Sequence, residues 1–223
     1  DRFHPGRVYS SIDHTGRYAY GNQPRVAHWN LACLAQALVP LLADDEEAAV
    51  AVAQQVIDTF PPRFAEAQLA GLRAKLGFAE ARDGDADLAR DLWQIMATGE
   101  ADFTNTFRAL TDAAATGDAE GARRQFAAPE AFDAWLARWR TRLDAEAVDP
   151  EARVAMMRRA NPAVIPRNHR VEAALAAAET GDLAPFERLL DMLARPFDDR
   201  PDAADLRQPP RPEEEIEATF CGT

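Results

Sequence analysis

Apolar residues recur at helical spacing along almost the whole chain, and that pattern leaves little choice of fold. Trp29, Leu31, Leu34, Leu38 and Leu41 keep a helical face, with Pro40 marking a kink or a last turn. The acidic run Asp44 to Glu47 suits a helix N-terminus and opens a second helix through Ala49, Val52, Val56 and Ile57 to Phe60. Pro61 and Pro62 are expected to stop it. A third helix spans Phe64 to Leu76, with Gly77 placed to cap it. Alternating runs of Val, Ile and Thr are nearly missing and no Asn-Gly hairpin turn occurs, so a mainly α fold is expected.

Three Gly-Asp dipeptides punctuate the rest: Gly84-Asp85, Gly117-Asp118 and Gly181-Asp182. Glycine can close one helix in the left-handed conformation, and the Asp carboxylate can accept the free amides that open the next. Their spacing is close to one and two periods of a helical repeat of ~33 residues. The repeat consensus does not recur between them, so they are read as helix joints. Trp135 and Trp139 share a helix face with Phe132 and Leu136 nearby, a stripe read as core packing over a ligand platform. From Pro196 onward, prolines mixed with acids predict an extended, partly ordered tail across the surface.

With 223 residues the chain can bury a real core, and a net charge of −12 repels phosphate backbones, which argues against nucleic-acid binding. Arginine supplies nearly all the positive charge; Lys75 is the only lysine. No apolar run approaches the ~18 residues a membrane span needs, and no signal-peptide pattern opens the sequence, so a soluble, intracellular protein is expected. Two cysteines, Cys33 and Cys221, do not make a disulfide framework.

The first forty residues are of another kind. Ser10 to Pro24 reads SSIDHTGRYAYGNQP, a density of large hydrogen-bonding side chains that an ordinary connector seldom needs. With no starting Met and no strand or helix before it, the sequence reads as the downstream part of something larger. Searching for catalytic patterns gives no Gly-x-Gly-x-x-Gly, Walker loop, His-Glu-x-x-His or Cys-x-x-Cys. His14 and His28 flank the loop, but Asp13 is the lone carboxylate beside them, which disfavours a metal site.

The segments SSID, GRYAYGNQP and WNL, then DFTNTFRAL (Asp102 to Leu110), NPAVIPRNHRVEAAL (Asn161 to Leu175), ARPFDDRP (Ala194 to Pro201) and the terminal FCGT, resemble the selenoprotein O family. Its members are kinase-like proteins that transfer AMP from ATP onto protein hydroxyls. The resemblance covers nearly the whole chain but only the C-terminal part of the family, so it implies that ATP, Mg and the catalytic residues belong upstream. No catalytic, cofactor or metal residue is therefore assigned within this chain.

By resemblance, residues 1–28 form an activation-segment-like loop ordered by Asp13, His14, Arg17, Tyr18, Asn22 and Gln23, with Tyr18 or Tyr20 alternatively plain core anchors. Residues 29–193 form the helix-rich part of a protein-kinase-like C-lobe, and 194–223 the proline-rich acidic tail. Asn105, Arg108, Asn161, Arg167 and Asn168 look like polar latches. Relatives carry a cysteine or selenocysteine near the C-terminus, which Cys221 matches as a redox candidate. The activation-segment cysteine it pairs with in some members is replaced here by Tyr9 and Ser10, and Cys33 is expected to be a buried apolar residue. The implied partners are protein substrates and the upstream catalytic part of the same polypeptide, with neither nucleic acid nor membrane, in a bacterial cytoplasm. The alternative is a non-catalytic helical scaffold or interaction module.

Overall fold

The computed structural model describes residues 2–216 and 218–219. It is built from helices: α1 Gln23–Leu42, α2 Glu46–Ile57, α3 Phe60–Leu76, α4 Asp85–Thr98, α5 Phe103–Thr116, α6 Glu120–Arg123, α7 Glu130–Asp144, α8 Pro150–Ala160, α9 Asn168–Glu179 and α10 Ala184–Ala194. Among the described residues no strand forms; a single antiparallel bridge joins Arg2 and Asp102. The mainly α expectation holds. No helix of the described residues is long and apolar enough to cross a membrane.

The described residues divide into two compact units, residues 5–70 with 218–219 and residues 2–4 with 71–216. In the first, α1 packs along α2. Helix α1 starts at Gln23, six residues before Trp29, because Pro24 sits in its first turn, where a missing amide costs nothing. Pro40 lies inside its C-terminal end. Asp45 caps α2, its carboxylate accepting the Ala48 amide at 2.8 Å. The expected stop at Pro61-Pro62 is displaced: α2 ends at Ile57, and both prolines fall in the first turn of α3.

The second unit holds the deeper core, with Leu76, Leu92, Met96, Leu110, Phe132, Trp139 and Met157 among its fully buried side chains. Trp135 and Trp139 stack at 6.1 Å, and their indoles donate to the Leu88 and Leu76 carbonyls at 2.8 and 2.9 Å. Core packing with satisfied polar tips is thus the role of this pair. Gly117 (φ +80°) closes α5 while Asp118 accepts the Glu120 amide, and Gly181 (φ +92°) precedes Asp182, which accepts the Ala184 amide. The Gly84-Asp85 joint behaves differently, since Asp85 is drawn inside and salt-bridged to Arg73 and Arg142, each at 2.7 Å.

That carboxylate belongs to a buried network which sequence patterning does not reveal. Arg142 also holds Glu146 at 2.7 Å, and Glu146 accepts the Ala79 and Glu80 amides and meets Arg153. Burial alone would raise both carboxyls. Hydrogen bonds from Arg142 and from backbone amides outweigh it and hold Asp85 and Glu146 below the usual carboxylate range.

The proline-rich tail is more than a surface strap. Residues Pro201–Ala203 and Pro212–Glu214 wind into short 3₁₀ turns, and Ala203 and Leu206 are buried in a cluster with Val164, Ala174, Leu189 and Met192. Arg188 fixes the tail by two hydrogen bonds to Asp205, at 2.8 and 2.7 Å.

Candidate functional site

The opening loop is held in shape by its own polar groups. The Asp13 carboxylate accepts the Arg17 and Tyr18 amides, both at 2.8 Å, and Gly16 takes φ +66° so that the chain can reverse above it. Asn22 donates from its side chain to the Gly16 carbonyl at 2.7 Å, and the Gln23 amide reaches the Tyr18 carbonyl. The Tyr20 and Gly21 amides return to the Arg7 and Pro5 carbonyls at 3.0 and 2.7 Å. A Cβ on Gly21 would lie 3.1 Å from that Pro5 oxygen, so a larger residue would need the neighbouring backbone to give by a few tenths of an ångström.

Of the side chains singled out to order this loop, Asp13, Asn22 and Gln23 do so. Arg17 instead spreads its guanidinium over the Trp29 ring at 4.4 Å from the centroid and over Tyr18 at 5.7 Å. His14 lies exposed, while His28 stacks on Phe60 at 5.3 Å on the helix, a packing role. Tyr18 is 48 % exposed, so it is no core anchor; Tyr20 is half-buried, and burial raises its phenol. The loop offers Tyr9, Ile12 and Tyr18 to its surroundings from a rigid frame.

One contact lies beyond what sequence could show. Thr219, near the far end of the chain, receives the Ser11 amide on its carbonyl at 2.6 Å, donates its own amide to the Ser11 hydroxyl at 2.9 Å, and donates its hydroxyl to the Tyr9 carbonyl at 3.0 Å. Thr219 is therefore stitched to the opening loop. Cys221 lies outside the described residues. Cys33 is exposed, which corrects the expectation of a buried apolar role: it sits on a side of α1 that nothing among the described residues covers.

The polar latches fall in the second unit. Asp102 caps α5 by accepting the Asn105 amide at 2.8 Å and binds the buried Arg167 at 2.7 Å. Asn161, fully buried, donates to the Lys75 carbonyl and the Thr111 hydroxyl, and Arg108 reaches the Asn161 carbonyl and Asp199. The Lys75 ammonium donates to the Ala160 carbonyl at 2.7 Å beside the Phe107 ring, and burial lowers its pKa. Among the described residues no group of three His, Cys, Asp or Glu side chains could hold a metal ion. Chemically these groups organise backbone.

A family model described as Protein adenylyltransferase SelO matches residues 1–194. Proteins named Protein nucleotidyltransferase YdiU match the whole chain: one from Rhodopseudomonas palustris (strain BisB18) is 53 % identical, and one from Ruegeria sp. (strain TM1040) is 54 % identical. The match covers 46 % and 45 % of those proteins, so the chain spans about half the length of the curated relatives it matches. The chain belongs to the SelO protein adenylyltransferase family.

Proposed function

We propose that this chain is the helical supporting part of a protein adenylyltransferase that moves AMP from ATP to Ser, Thr or Tyr hydroxyls of other proteins. Its membership of the SelO family over residues 1–194 carries this reading. Such a transfer breaks the bond between the α-phosphorus and pyrophosphate and joins that phosphorus to the hydroxyl oxygen, while magnesium offsets phosphate charge. The described residues do not fit that cofactor pair. They offer no three-ligand cluster, and the one lysine, Lys75, is committed to the Ala160 carbonyl. By the family reading we assign ATP and magnesium to the part of the curated relatives' length that this chain does not match.

What these residues contribute is position. The loop from Val8 to Pro24 acts in place of an activation segment. The Asp13 turn and the Thr219 stitch keep Tyr9, Ile12 and Tyr18 presented outward, which suits a surface that receives an acceptor protein. Transfer of labelled nucleotide to an acceptor protein, with each nucleoside triphosphate in turn, tests the reading. Transfer from ATP is expected when these residues are joined to the remaining half, and none from residues 1–223 alone. Saturable AMP transfer by residues 1–223 alone would overturn it.

A further inference from the structure

The second unit carries a cleft of about 650 Å³ between α8, the end of α5 and the loop after α10, a size that suits a ligand or a bound segment of chain. Val154 and Ala155 of α8 line it together with the Phe197 ring, which stands 43 % exposed. The wall that bears Phe197 is pinned. The Pro196 carbonyl accepts the Ala163 and Val164 amides at 2.7 and 3.1 Å, and Asp199 meets Arg108 and Arg158, the latter at 3.3 Å. Two other charges at the cleft have no such partner. Glu151, in the first turn of α8, and Arg159, in its last, are exposed, and their side chains form no ion pair or hydrogen bond among the described residues.

We propose that this cleft is a docking groove for an extended protein segment that presents a basic, an apolar and an acidic side chain on one face, the base toward Glu151 and the acid toward Arg159. Spacing selects this occupant. Eight residues of helix separate Glu151 from Arg159, about 12 Å along the axis. An extended chain covers that distance in about four residues and turns alternate side chains to the same face, so its positions i, i+2 and i+4 would meet Glu151, the Phe197 wall and Arg159. Other ligands fit less well. A free amino acid is too short to reach both charges, and a nucleotide would bring its phosphates against the Glu151, Asp198 and Asp199 carboxylates. That the segment belongs to an acceptor protein rests on the family reading; the groove and its charges do not.

Fluorescence anisotropy with a labelled peptide, Thr-Lys-Thr-Leu-Thr-Glu-Thr, blocked at both ends, tests this in residues 1–223 and in a fusion to the remaining half of the Rhodopseudomonas palustris relative. Saturable binding to both is expected. Arg159→Glu, at an exposed and unpaired position, should leave the thermal midpoint unmoved yet weaken binding at least about fivefold, because attraction gives way to repulsion. A second peptide, with lysine in place of the glutamate, should bind this variant more tightly than it binds the natural chain. Absence of saturable binding, equal affinity of the natural chain and Arg159→Glu, or failure of the lysine peptide to prefer the variant would overturn the proposal. So would binding to residues 1–223 that the fusion abolishes, which would assign the cleft to the remaining half of the same polypeptide. An absence of AMP transfer by the fusion would count against the functional reading and leave these affinities unmoved.

Discussion

Asp85 gathers three hydrogen-bond donors from separate places in the chain: the Arg73 and Arg142 guanidinia and the Arg82 amide. Removing Arg142 would leave Asp85 with Arg73 and Glu146 with Arg153 but without their shared cation, so Arg142→Ala should cost about 1–3 kcal/mol in urea unfolding. The carboxyls also set a pH dependence. Both have folded-state pKa values below their unfolded ones, so their stabilisation is present above the ordinary carboxylate range and is lost as pH falls through the folded values. The stability gap between the natural chain and Asp85→Asn should therefore narrow as pH drops below about 4. A gap that stays constant from neutrality downward would contradict the network's role. Cys33 makes a simpler case: being exposed, it should react with a thiol reagent in the native chain about as readily as in urea.

At the scale of elements, two glycines separate backbone strain from packing. Gly117 ends α5 at φ +80° with open space around it, so Gly117→Ala should cost only the left-handed penalty of ~1–2 kcal/mol. Gly77 ends α3 at φ +82°, and an added Cβ would lie 2.7 Å from the Met157 sulfur. Gly77→Ala should be the worse of the two in the same unfolding assay, and equal losses would show that Met157 yields freely. The glycine at this cap was legible from sequence, as were the helices, the acidic start of α2 and the tryptophan core, because each depends on spacing or on a neighbour a few residues away. The Asp85 network and the Thr219 stitch were not. Both join residues far apart in the chain, and no local period records such pairs. Cys33 was misread for a related reason: helical periodicity reports which faces are apolar, not which of them the chain at hand covers.

On the scale of the whole molecule, the described residues form two compact units rich in helix. Among the described residues the charged groups are paired with one another or with backbone more often than aimed at a shared point, as at Asp85, Asp102 and Asp205. The family, in contrast, is defined by transfer of a nucleotide. The proposal above divides the work by length, giving nucleotide binding to the part of the relatives that this chain does not match. Calorimetric titration of ATP with magnesium tests that division of labour most directly. The account predicts no saturable heat with residues 1–223 alone and a saturable binding isotherm once the remaining half of the protein is joined to them; saturable binding to residues 1–223 by themselves would contradict it.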